Sequence, residues 1–232
     1  MKGLKICGVS DPETLNYILN HNHKPTMIGF ITNYRKSKRF VEYQKLKELL
    51  NVNKKEIKFI SVLVNPNDEI LEKIKNLINV EKNEVSFISV LVNPSDEILE
   101  KIKDLNFDYY QLYDVNPNRT KEIKSKFKKK IITALTISSK DDVIKYKSYS
   151  EISDIILFDS KGYHKSESFD HNLLDDVPSE LSKMIAGNIQ IDDIPNFKNK
   201  DFIIDLSGTL EDQNGKKDIN KIDKLLNLFA KI

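Results

Sequence analysis

The residues of this chain that could do chemistry stand at the ends of short apolar runs. Leu4-Lys5-Ile6-Cys7 brings the single cysteine to the edge of Gly8, and Ile155 to Phe158 runs into Asp159. Met184 to Ala186 ends at Gly187-Asn188, and Phe202 to Leu206 carries Asp205 and ends at Ser207-Gly208. Two near-identical runs end at Asn65 and Asn93. A thiol in its thiolate form is a base or nucleophile, and a positioned carboxyl gives or takes a proton. Glycine at a strand end either makes a turn or lets backbone N–H groups reach a phosphate. Each position also has a plainer reading: Cys7 as a small buried hydrophobe, Asp159 as the cap of the next turn, Gly187 and Gly208 as turn residues. The four histidines show no metal-ligand spacing, and His21 and His23 read as solvated in a polar loop. One cysteine excludes an intrachain disulfide framework and a multi-cysteine metal site.

These positions are held by one repeated grammar, strand then helix. Strands are expected at Leu4–Cys7, Met27–Ile31, Tyr109–Leu112, Ile131–Ile137, Ile155–Phe158, Met184–Ala186 and Phe202–Leu206, with helices over Asp11–Leu19, Phe40–Leu50, Asn118–Phe127, Lys140–Tyr146 and Asp218–Phe229. The middle of the chain is a tandem repeat. Residues 50–77 and 78–105 are 28 residues each and match at 21 positions. Each copy holds a β-branched apolar run (Phe59 to Val64; Phe87 to Val92), then Asn-Pro, then Asp-Glu-Ile-Leu-Glu-Lys-Ile with one apolar helical face.

Alternating strands and helices mean a parallel sheet, and this many favour a closed barrel over an open flavodoxin-like sheet, for which a Gly-rich fingerprint is missing after the first strand. The fold class is therefore α/β, a (β/α)8 TIM barrel in a single domain spanning residues 1–232, with chemistry at the C-terminal ends of its strands. Counting one repeat copy gives eight strands and counting both gives nine. Interior layers built from alternate strands want an even number, so eight strands are expected to close the barrel, with one duplicated βα unit as an insertion outside it.

Composition narrows the function classes. Lys+Arg 37 against Asp+Glu 35 gives a formal charge of +2, with no basic stripe interleaved with aromatics, so no nucleic-acid partner is expected. The Lys216-Lys217 pair reads as a charge run near a helix end. No window approaches a membrane span and no signal peptide opens the chain, so a soluble cytoplasmic protein is expected, monomer or homodimer.

Taken in order, the motifs resemble those of the phosphoribosylanthranilate isomerase family of tryptophan biosynthesis. Lys5-Ile6-Cys7-Gly8 resembles the family's first strand, and Ile28-Gly29-Phe30 with Ser37-Lys38-Arg39 the second strand and its Ser-Pro-Arg segment. Gln111-Leu112, Leu157-Phe158-Asp159-Ser160, Ile185-Ala186-Gly187 and Asp205-Leu206-Ser207-Gly208 with Glu211 resemble later strands; Gly215-Lys216-Lys217-Asp218 opens the last helix. The resemblance implies an Amadori rearrangement of a small phosphosugar substrate with no cofactor and no metal. It makes Asp159 the general acid on the ribose ring oxygen and Cys7 the base at C2. Arg39 would hold the anthranilate carboxylate, Asp205 would orient ribose hydroxyls with Ser207 beside it, and the backbone around Gly187, Asn188 and Gly208 would take the phosphate. The chain departs from the family at Tyr163-His164-Lys165-Ser166, where a Gly-Gly-Thr-Gly loop is usual, at Asn188 in place of a second glycine, and at Tyr113-Asp114 in place of His-Gly. Lys165 would then offer a point charge where amides are missing. The alternative is a non-catalytic relative that binds a phosphorylated metabolite.

Overall fold

A computed structural model describes residues 2–53, 56–66, 68–72, 85–105, 107–160 and 168–232. Nine parallel strands form one closed barrel, each paired with its neighbours in chain order and the last with the first. They are β1 (Gly3–Cys7), β2 (Met27–Ile31), β3 (Lys58–Val64), β4 (Val85–Val92), β5 (Tyr109–Tyr113), β6 (Lys130–Ile137), β7 (Ile155–Ser160), β8 (Lys183–Ile185) and β9 (Phe202–Leu206). The period of two sorts their side chains into two cores. Leu4, Ile6, Phe30, Phe59, Phe87, Tyr110, Phe158 and Ile204 face outward and join the helices in the larger cluster. Ile60, Ile88, Val90, Ile132, Ala134, Leu157 and Met184 point inward and fill the barrel.

The expectation of eight closing strands with one repeat copy outside is corrected by this topology. Both copies stand side by side in the wall, β3 pairing with β4. The physical reason is the alternation that the copies share: Phe59 and Phe87 face out while Ile60 and Ile88 face in. Phe87 aligns with Ser61, not with its repeat equivalent Phe59, a stagger that keeps every inward residue inward. Closure requires consistent tilt and stagger, not an even strand count. A ninth strand widens the barrel, and long side chains such as Met27, Tyr109, Tyr113 and Met184 pack in the interior. Asparagines after β2 and β3 stitch this region: Asn33 bonds both backbone groups of Val64, and the Asn65 side chain accepts from the Val92 N–H.

Most expected helices form, several of them started by a side-chain cap; Tyr43–Leu50 forms without one. Asp11 caps Pro12–Asn20, Ser95 caps Asp96–Ile102, Asn116 caps Pro117–Phe127 and Asp218 caps Ile219–Phe229. Residues 68–72 are also helical. Among the described residues after β7 and β8 are short 3-10 turns, His171–Leu174 and Ile191–Phe197, the latter holding Pro195. His21, expected to be solvated, instead faces Asp223 across the gap between the first and last helices, Nε2 to Oδ1 3.2 Å, with its side chain 9% exposed.

Candidate active site

The first strand supplies two inward side chains, Lys5 and Cys7, two residues apart and so on one face. Lys5 is aligned with Asp205 on β9, and its Nζ lies 2.6 Å from Asp205 Oδ2. Burial alone would lower the Lys5 pKa, but the attraction of Asp205, and then of Cys7, outweighs it and holds the ammonium above its ordinary range. The second oxygen, Asp205 Oδ1, is buried and has no hydrogen-bond partner among the described residues. Burying an acceptor unpaired costs about 1–3 kcal/mol, which a substrate hydroxyl would relieve.

Burial pushes the Cys7 thiol up, Lys5 opposes it, and the Asp205 carboxylate adds to the rise. Lys217 and Arg39 also pull the thiol downward. Two further residues reach Cys7 through the backbone. Ser207 Oγ donates to the Cys7 carbonyl at 3.0 Å, and Lys217 Nζ donates to the Ser207 carbonyl at 3.0 Å. The ends of β1 and β9 are thereby tied at the barrel mouth.

Arg39 crosses that mouth. A Cβ on Gly8, whose φ is +79°, would meet Arg39 Cδ at 2.5 Å, and one on Gly208 would stand 3.3 Å from Nη2. Gly8 therefore makes room for the aliphatic stem of Arg39 and Gly208 for its guanidinium. Glu211 grips it through Nε and Nη2 and also takes Lys217 at 2.9 Å. Burial would raise the Glu211 pKa, but the hydrogen bonds from Arg39 and Lys217 win and hold it below its usual value. Two cations share one carboxylate here, so the corner keeps a surplus positive charge suited to an anion.

Asp159, next to last in β7, has both carboxyl oxygens engaged: Oδ2 accepts from Tyr113 Oη at 2.9 Å and Oδ1 from the Ser160 N–H at 2.8 Å. Burial raises its pKa; Tyr113 opposes this, Asp205 adds to it, and Lys5 pulls it down. At the end of β8, Gly187 has φ +90°, and a Cβ there would meet the Ser160 N at 2.5 Å, so the backbones of β7 and β8 converge as only glycine permits. Ser160 Oγ is buried beside it without a partner among the described residues, and Asn188 is exposed with φ +50°.

Cys7, Asp159, Arg39, Asp205, Ser207 and Gly208 thus gather at one end of the barrel, with Gly187 and Asn188 at its rim. Lys165 lies outside the described residues, as do Tyr163, His164 and Ser166. The sequence reading did not single out Lys5, Tyr113 or Gln111 as site residues. It read Lys217 as part of a short lysine run near a helix end, whereas that side chain is wholly buried against Glu211. The signal for Lys5 was its place two residues before Cys7; for Lys217 it was only membership of the Gly215-Lys216-Lys217-Asp218 segment, because the return of the last loop is what carries it inward.

A family model described as N-(5'phosphoribosyl)anthranilate (PRA) isomerase matches residues 72–228. The chain belongs to that family. N-(5'-phosphoribosyl)anthranilate isomerase of Rhizobium rhizogenes is 26% identical over 237 residues, covering 98% of this chain and 93% of the relative. The enzyme of the same name from a Sulfurihydrogenibium species is 28% identical, with 97% of each chain covered. Among solved structures, phosphoribosyl anthranilate isomerase from Thermotoga maritima superposes with a TM-score of 0.65 at 19% identity over 100% of both chains. A phosphoribosyl anthranilate isomerase in complex with reduced 1-(o-carboxyphenylamino)-1-deoxyribulose 5-phosphate gives the same TM-score at 18% identity, again over 100% of both chains. Among the described residues no helix is long and apolar enough to cross a membrane.

Proposed function

We propose that this chain is an aldose–ketose isomerase. It converts N-(5-phosphoribosyl)anthranilate to 1-(2-carboxyphenylamino)-1-deoxyribulose 5-phosphate in the cytoplasmic synthesis of tryptophan, as a monomer or homodimer. The observation that carries the reading is that a thiol and a buried carboxyl, Cys7 and Asp159, each lie near the C-terminal end of a barrel strand under the influence of the same Lys5–Asp205 pair.

The chemistry follows from those groups. Asp159, its proton retained more readily because it is buried, protonates the furanose ring oxygen. The C1–O bond breaks and the anilino nitrogen lone pair forms the iminium. Cys7 as thiolate, with Lys5 as its strongest cationic neighbour, takes the proton from C2; the C2–H electrons form the C1–C2 double bond, the iminium π pair returns to nitrogen, and the resulting enolamine tautomerises to the ketone. Asp205 Oδ1 accepts from a ribose hydroxyl. Arg39, backed by Glu211, presents the rest of its planar fork to the anthranilate carboxylate. Ser160 Oγ and the backbone at Gly187, Asn188 and Gly208 receive the phosphate, with Lys165 supplying charge. Freshly prepared phosphoribosylanthranilate should lose its fluorescence when the protein is added. Tight binding of a product analogue without turnover would favour a non-catalytic relative.

A further inference from the structure

Strand β5 turns Gln111 and Tyr113 into the barrel, aligned with Val90 and Val92 on one side and Ile132 and Ala134 on the other. Gln111 Nε2 lies 3.2 Å from Tyr113 Oη, which lies 2.9 Å from Asp159 Oδ2. The directions of these bonds are fixed by chemistry. An ionised carboxylate only accepts, so the phenol proton goes to Asp159. The phenol oxygen is then left as an acceptor toward Gln111, whose NH2 must face it. With the Ser160 N–H on Oδ1, the carboxyl is held at both oxygens by donors from two different strands.

We propose that Tyr113, oriented by Gln111, is a positioning residue that fixes the plane of the Asp159 carboxyl and sets how readily it gives up its proton. This rests on the reading of Asp159 as the general acid. Tyr113 stands where the family that this chain resembles has a histidine, so the device is a property of this sequence. The groups that act on Asp159 come from three other strands: Tyr113 from β5, Asp205 from β9 and Lys5 from β1. Of these, Tyr113 and Lys5 favour the carboxylate and Asp205 disfavours it, so loss of the phenol shifts the balance toward the protonated acid. The same hydroxyl is itself held as a phenol, since burial and the neighbouring Asp159 keep its pKa well above the ordinary tyrosine value.

The test is a pH titration of the protein labelled with carboxyl-13C aspartate, the Asp159 signal being identified by its loss in Asp159→Asn. In Tyr113→Phe the midpoint of Asp159 should rise by about 1 to 2 pH units, the scale of one hydrogen bond to a charged group. Gln111→Leu, which removes the amide donor from the phenol oxygen, should move it the same way by less. The Asp159 break in the pH profile of kcat/KM should move by the same amount as the titration midpoint. A midpoint that stays put in both variants overturns the proposal, as does a titration shift with an unmoved kinetic break. If the parent protein does not turn over phosphoribosylanthranilate, the functional reading fails and with it the kinetic role, while the titration still decides whether Tyr113 controls the carboxyl.

Discussion

A Cβ added to Gly29 would stand 2.9 Å from the sulfur of Cys7 and 3.3 Å from its Cα. The two residues are aligned on β1 and β2, both facing into the barrel, so the glycine is the space in which the thiol sits. Gly29→Ala should therefore displace the reactive sulfur while leaving the wall intact. Crowding of this kind costs about 1–3 kcal/mol of stability, and a misplaced reacting group costs about 10²-fold in rate. Thermal melting beside steady-state kinetics checks it: the expected result is a modest drop in melting temperature with a large loss of kcat/KM.

The thiol gives a prediction about pH. Burial raises the Cys7 pKa and Lys5 opposes that rise, because a nearby cation stabilises the thiolate. Lys5→Met removes the cation, so the pKa should climb further and alkylation by iodoacetamide should need a higher pH to reach half its maximum rate. For the reaction itself the two requirements pull in opposite directions. Rising pH makes the thiolate and strips the proton from Asp159, so kcat/KM should be bell-shaped. An alkylation midpoint unchanged in Lys5→Met would remove that residue from the account.

Glu211 binds two cations, Arg39 and the wholly buried Lys217. Glu211→Gln would leave Lys217 with the Ser207 carbonyl as its remaining acceptor in this network, and breaking a buried pair from one side costs about 3–5 kcal/mol. A lower urea midpoint together with a raised KM for phosphoribosylanthranilate is expected, since Arg39 loses the carboxylate that aims it. A change in stability alone would separate the Glu211 pair from substrate binding.

Much of this was legible in the sequence because the signals are local. Apolar runs carrying Cys7, Asp159 and Asp205 placed these candidate residues near strand ends, where the structure has them, and the caps at Asp11, Asn116 and Asp218 stand at the starts of expected helices. What was not legible depends on closure of the ring. Lys5 meets Asp205, and Tyr113 meets Asp159, only because distant strands come together around a barrel. The strand count failed for the same reason: the two copies, each already alternating in and out, pair as well with each other as with their neighbours.

That pairing makes a prediction about the repeat. With residues 78–105 removed, β3 can offer β5 the edge that β4 now offers, Ile60 taking the place of Ile88 opposite Tyr109. The shortened protein should fold as a narrower eight-stranded barrel with a cooperative melt and parental circular dichroism. Aggregation or loss of cooperativity would mean that the ninth strand is required for closure.

Cys7 and Asp159 are expected to serve one reaction. Turnover of phosphoribosylanthranilate by the parent, Cys7→Ala, Asp159→Asn and the double variant tests it most directly. Each single change should cost about 10²- to 10⁴-fold in kcat/KM in a folded protein. The double variant should be little worse than the more damaged single, because groups that act as a unit do not add. Either single variant working at the parental rate would contradict the account.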